Sequence, residues 1–157
     1  QILDLIGEQR RDRNMSVILV THDLGVVAGH TDQIAVMYGG KLVEYAPTKT
    51  LFANMKMPYT KSLMRSIPKL SDPSHTRLAT IHGRPPDLVN PPMGCNFAPR
   101  CMYALPKCHV EEPPLTPTAD PKHVYACWYP VGSPEFEKRD VELQATGYLP
   151  EDISAVS

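Results

Sequence analysis

Proline divides this chain in two. Of 17 prolines in 157 residues, none precedes Pro47 and twelve fall between Pro85 and Pro134. Proline fixes φ and removes a backbone donor, so it is excluded from the interiors of helices and central strands. The overall frequency is about twice the usual ~5%. Regular secondary structure is therefore expected early and irregular backbone late. An irregular stretch of that length requires either disorder or a staple. All four cysteines, Cys95, Cys101, Cys108 and Cys127, lie inside it.

The proline-free part reads as α/β. Residues 2–13 predict a helix whose apolar face is Ile2, Leu3, Leu5 and Ile6, ended by Asn14. SVILVT, residues 16–21, is a continuous, mostly β-branched apolar run, the pattern of a strand buried on both faces of a parallel sheet. Asp23 is placed to cap a short helix, LGVVAGH. QIAVMY at 33–38 and KLVEY at 41–45 are strands joined by Gly39-Gly40, where both positions can adopt φ > 0. Thr48 is expected to cap a helix, KTLFAN. Pro58 begins another, PYTKSLMRSI, which stops before Pro68 and would bury Leu63, Met64 and Ile67. Residues 1–68 are thus the regular part and 69–92 a stiff proline-rich connector. Residues 93–132 form a four-cysteine module, and 133–157 a charged tail expected to fray. His82, in the connector, is read as structural.

Composition narrows the function. With 42% hydrophobic residues the chain affords a modest core of one ordinary domain, or a small domain plus an appendage. A net charge of −1 offers no electrostatic grip on nucleic acid or anionic lipid. No apolar run approaches the ~18 residues of a membrane span. The first residues lack the basic-then-apolar order of a signal peptide. These features predict a cytoplasmic protein, and Gln1 suggests a chain that starts mid-fold.

Two sets of residues carry chemistry. His22 follows the carboxyl end of the expected buried strand, the edge where ligands bind in open α/β sheets. A histidine there can donate to a phosphate oxygen or hold a water; it can equally be a capping or packing residue. The cysteines are spaced by five, six and eighteen residues, without the C-x-x-C pair of a common zinc site. Their alternatives are four unrelated thiols, a disulfide pair disfavoured by a reducing compartment, and a shared metal. A metal is favoured because the segment holds too few apolar residues to fold unaided, and metal–ligand free energy is folding free energy. His109 and His123 lie close enough in sequence to replace a thiolate, although each more often sits on the surface. Arg100 can donate to a sulfur beside Cys101 or be solvated. Trp128 and Tyr129 are placed to shield the site. No serine or cysteine nucleophile pairs visibly with a base.

In combination these segments resemble a known family. ILVTHDLGVVA followed by TDQIAVMYGGKLVEYAPT is similar to the end of an ABC-type nucleotide-binding domain, most of all in the oligopeptide and dipeptide importers. PYTKSLMRSIP resembles a segment typical of that branch, IHGRPPDLVNPP its connector, and GCNFAPRC, ALPKC and VYACWYP its C-terminal extension. The resemblance covers roughly residues 1–130. Met57 replaces the usual histidine before PYT, and Ala46 a usual glycine.

The resemblance implies the following. The fold would be the C-terminal strands and helices of an ABC-type nucleotide-binding domain, followed by a small irregular, metal-stapled, cysteine-rich extension. His22 would be the switch histidine that contacts the γ-phosphate of ATP and helps align the attacking water, in a reaction that depends mostly on positioning. Cys95, Cys101, Cys108 and Cys127 would hold a four-iron, four-sulfur cluster (4Fe-4S), with zinc as the alternative. ATP and Mg2+ would bind in the intact protein. Its partners would be the transporter's membrane subunits and a second ATP-binding subunit, on the inner face of the cell membrane. The phosphate-cradling Gly-rich loop, the signature segment and the strand with the catalytic carboxylate do not occur in these residues, so the chain alone should be inactive. Apolar surface at residues 2–6 and 16–20 would then be left exposed. The competing reading is a stand-alone, non-catalytic metal-binding or regulatory module.

Overall fold

The computed structural model describes residues 2–67, 81 and 83–146. His82 and most of the connector between 69 and 92 lie outside the described residues, as does the tail beyond residue 146.

The hairpin organises the fold. Strand β1 (Gln33–Tyr38) alternates strictly, with Ile34, Val36 and Tyr38 buried and the residues between them exposed. Gly39 and Gly40 take φ of +56° and +76°, as a two-residue turn of this hand requires. Strand β2 (Lys41–Pro47) returns antiparallel. Its register slips between Val36 and Met37, because Val36 faces Glu44 while Met37 faces Leu42. Val43 is the extra residue of this bulge. The slip breaks the period of two, so adjacent Val43 and Glu44 are both buried.

The proline-rich segment then adds two strands of its own. β3 (Thr116–Pro117) and β4 (Val124–Tyr125) complete a four-stranded antiparallel sheet in the order β1-β2-β4-β3. The Ala126 amide continues the ladder to the Val43 carbonyl at 2.9 Å. The main core therefore joins the two halves of the chain. Leu51 and Met57 pack with Phe97, and Cys95, Cys101 and Cys127 border the same cluster. Tyr38, Tyr59 and Phe97 meet ring to ring at 4.7–5.2 Å, contacts worth about 0.5–1.5 kcal/mol each beyond area burial.

Helices α1 (Ile2–Asp12), α2 (Leu24–Val27), α3 (Thr48–Asn54) and α4 (Pro58–Arg65) form where the sequence predicts them. Asp23 caps α2 by accepting from the Gly25 and Val26 amides. Pro58 opens α4 at its first turn. Thr48 departs from expectation. Pro47 occupies the cap position of α3, and the Thr48 hydroxyl donates instead to the Thr31 carbonyl at 2.8 Å, tying α3 to the turn after α2. In α4 it is Pro58 and Thr60 that are buried, whereas Leu63, Met64 and Ile67 are only half-covered. The helix enters the core by its N-terminal end, not along its flank.

Two larger expectations are corrected. SVILVT forms no strand, and Ile18 and Val20 are 93% and 91% exposed. A strand exists only by pairing, and the sheet of the described residues is antiparallel and holds no neighbour for this segment. The parallel sheet expected from this run is therefore not formed. Leu19 alone reaches the core. Helix α1 likewise buries no residue, and Arg10 fastens it to Asp32 at 2.8 Å. The stretch from Ser133 is not frayed over its first part but forms helix α6 (Pro134–Ala145). Ser133 Oγ accepts from the Phe136 amide, Pro134 sits at the first turn, and Glu135 and Glu137 favour its N-terminal dipole. Its buried face, Phe136, Asp140 and Leu143, closes a second small core with Tyr103.

Candidate functional site

The four cysteines, 32 residues apart from first to last, line one cavity together. Three local devices bring them there. First, a 3-10 turn at Ala98–Arg100, with Pro99 inside it, folds Cys95 towards Cys101. The Ala98 amide donates to the Cys95 carbonyl at 2.9 Å and the Cys101 amide to the Ala98 carbonyl at 3.2 Å. Second, helix α5 (Pro106–Val110) carries Cys108, whose carbonyl accepts from the Cys95 amide at 2.9 Å. That crossing is so close that a Cβ on Gly94 would stand 2.3 Å from the Cys108 oxygen and 2.7 Å from the His109 carbonyl carbon. Only glycine fits there. Third, β4 delivers Cys127 from the sheet.

Cys108 is buried and Cys95, Cys101 and Cys127 are partly buried, in an apolar setting. Burial pushes the thiols of Cys95, Cys101 and Cys127 above their ordinary range, Cys101 to about 12. Backbone amides oppose this. The N–H groups of Phe97 and Ala98 beside Cys95, of Tyr103 and Ala104 beside Cys101, and of Tyr129 beside Cys127 favour the charged sulfur. Amides aimed at sulfur stabilise thiolate, while burial disfavours it unless a cation is present. A metal centre supplies that cation and deprotonates its thiol ligands outright. None of the four cysteines is in a disulfide. Trp128 and Tyr129 line the cavity with Phe97 and Tyr103, as a water-excluding shell should. The Trp128 indole is fixed by donation to the Glu111 carbonyl at 3.0 Å and by the Lys107 ammonium 3.5 Å from its ring centre.

Four thiols lining one cavity are the donor set available there to a metal. Among the described residues, no three His, Cys, Asp or Glu side chains converge to hold one metal ion. With a zinc–sulfur distance of about 2.3 Å, tetrahedral geometry needs sulfurs about 3.8 Å apart.

The other sequence candidates fall elsewhere. His22 is exposed in the turn before α2, where Asp23 donates its amide to Thr21 Oγ1 at 3.1 Å. His109 is exposed. His123 is not at the surface: it is fully buried, with Nε2 2.8 Å from Glu44 Oε1. Neither lines the cysteine cavity. The Arg100 guanidinium runs to the Tyr38 hydroxyl at 3.1 Å and the Ile81 carbonyl at 3.0 Å, bracing the 3-10 turn against the end of β1.

Glu44 is the residue that sequence reasoning passed over. It is 0% exposed and takes donors from three directions: the Lys56 amide at 2.5 Å, the Met57 amide at 3.1 Å and His123 at 2.8 Å. A glutamate in KLVEY reads as a solvent-facing strand position. Only the bulge turns it inward.

Known proteins match the chain along this same stretch. Residues 43–108 match the family model described as the oligopeptide/dipeptide transporter, C-terminal region. The chain is 46% identical over 128 residues to the dipeptide transport ATP-binding protein DppD of Bacillus subtilis, covering 82% of this chain and 38% of that protein. It is 43% identical over 128 residues to the oligopeptide transport ATP-binding protein OppD of Haemophilus influenzae, covering 82% and 39%. With OppD of Salmonella typhimurium it shares 40% over 131 residues, covering 83% and 38%. The chain thus spans under two-fifths of the length of these curated relatives.

Proposed function

We propose, for a chain that carries the C-terminal region of the oligopeptide/dipeptide transporter family, that it is part of the ATP-binding subunit of a peptide importer. The observation that carries this reading is the 40–46% identity running through most of the chain, from ATPase-like elements into the cysteine module, to proteins named for peptide transport and ATP binding. In the intact protein His22 is the switch histidine. Its exposed place before α2 leaves it free to face a nucleotide held by residues outside this chain. ATP and Mg2+ bind there, and the partners are membrane subunits and a second ATP-binding subunit. No helix of the described residues is long and apolar enough to cross a membrane, which suits a subunit docked on the cytoplasmic face.

The same reading gives the cysteine module a four-iron, four-sulfur cluster on Cys95, Cys101, Cys108 and Cys127. Its support is the shared apolar cavity and the backbone N–H groups beside three of the sulfurs. Such a cluster supplies thiolate-bound iron; the chain's residues supply the ligands, the donors to sulfur and the exclusion of water.

The nucleotide part of the reading has a direct test. These 157 residues contain no Gly-rich phosphate loop with its lysine. The purified chain is expected to turn over no ATP above a His22→Ala control in a phosphate-release assay. Turnover clearly above that control would mean that the chain holds a nucleotide site of its own.

A further inference from the structure

The cysteine cavity and the sheet share two walls, and both are fastened to one carboxylate. Met57 and Pro58, at the start of α4, are buried and line the cavity. The Met57 amide and its neighbour Lys56 donate to the two oxygens of Glu44. On the opposite flank His123 Nε2 donates to Glu44 Oε1 and stands one residue before β4, which runs through Ala126 into Cys127. Glu44 itself lies at the bulge of β2, paired with Val36 on one side and Tyr125 on the other. A carboxylate removed from water is costly and is tolerated only with its lone pairs satisfied. Here two separate segments, residues 56–57 and His123, must stay in place to satisfy it.

We propose that Glu44 is a positioning residue that couples occupancy of the cysteine cavity to the start of α4. The inference rests on the metal reading above. Charge-assisted bonds are short and directional, so Glu44 sets the separation between the Met57–Pro58 wall and the strand that carries Cys127. A group bound to Cys127 holds that strand, and through His123 and Glu44 it holds the Lys56 and Met57 amides. Coupling of this kind is reciprocal. Filling the cavity protects those two amides, and loosening Glu44 loosens the bound group. Outer partners of metal ligands typically shift metal affinity by about 10–100-fold when altered.

The test uses the full chain, loaded with ferrous iron and sulfide and then stripped with a chelator. Hydrogen exchange at the Lys56 and Met57 amides is compared in the two states, with the Val36 amide in the hairpin as reference. Metal release to the chelator is timed for the wild type, Glu44→Gln and His123→Gln. The expected result is at least ~10-fold faster exchange at Lys56 and Met57 on stripping, little change at Val36, and release about 10-fold or more faster from both variants. Equal release from folded variants, or identical exchange in loaded and stripped wild type, overturns the coupling. If Glu44→Gln and His123→Gln do not fold, the wild-type exchange comparison decides alone. If the wild type takes up no iron, the metal reading fails and the coupling with it; loading with unchanged exchange and release sinks the coupling only.

Discussion

Phe136→Ala is expected to cost about 3–5 kcal/mol of the free energy that holds helix α6 on the cysteine module, the usual range for emptying a buried aromatic site. Phe136 is 1% exposed and stacks on Tyr103 with ring centres 4.1 Å apart and planes 26° apart. The Lys61 ammonium lies 4.6 Å from its ring centre. One turn later Asp140 accepts from the Tyr103 hydroxyl at 2.6 Å and pairs with Lys61 at 3.5 Å. Burial is the main cause that lowers the Lys61 pKa and raises that of Tyr103, so both polar groups depend on Asp140 staying in place. Removing the ring opens this small core to water and removes the face that aligns α6. Limited proteolysis should then cut within 134–145 well before the hairpin is lost, and a thermal melt should show an early transition. A variant that melts as the wild type does would mean that α6 is held by its polar contacts alone.

If the chain is part of an ATP-binding subunit as proposed, His22→Ala carries the second large effect, and it is expected only in the intact protein. Loss of one preorganised donor to a transferring phosphoryl group slows such chemistry by about 100-fold or more. The histidine neither anchors a strand nor fills a core; it is exposed in the turn before α2. Nucleotide affinity and folding should therefore remain close to those of the wild type. The pair of measurements is steady-state ATP hydrolysis and equilibrium nucleotide binding. Hydrolysis within a factor of a few of the wild type would remove His22 from the catalytic machinery. Loss of binding and hydrolysis together would make it a structural residue.

What could be read from the sequence was what local chemistry determines. Gly39-Gly40 between alternating strands specifies a hairpin without any outside partner, and Pro58 marks a helix start by its fixed φ. The four cysteines were legible as a set because they are the only ones in the chain and share its irregular part. SVILVT misled because its composition specifies burial but not the partner that buries it, and 16–21 meets no strand among the described residues. The proline-rich module misled in another way. Its shortage of apolar residues favoured a metal as the source of its folding free energy. Yet β4 borrows the edge of β2, Phe97 enters the main core, and α6 closes over Tyr103. Glu44 was invisible because its burial depends on a one-residue register slip, which no alternation pattern announces. His123 was hidden for the same reason, since its burial follows from Glu44.

The cavity shared by Cys95, Cys101, Cys108 and Cys127 is tested most directly by the metal and sulfide content of the anaerobically purified chain. Trp128 adds a built-in reporter, being the only tryptophan and part of the cavity wall. The prediction is about four iron and four acid-labile sulfide per chain, a brown colour, and quenched Trp128 emission, all lost in Cys101→Ser. Stoichiometric zinc without iron, or a colourless chain that stays metal-free after reconstitution with ferrous iron and sulfide, would contradict it.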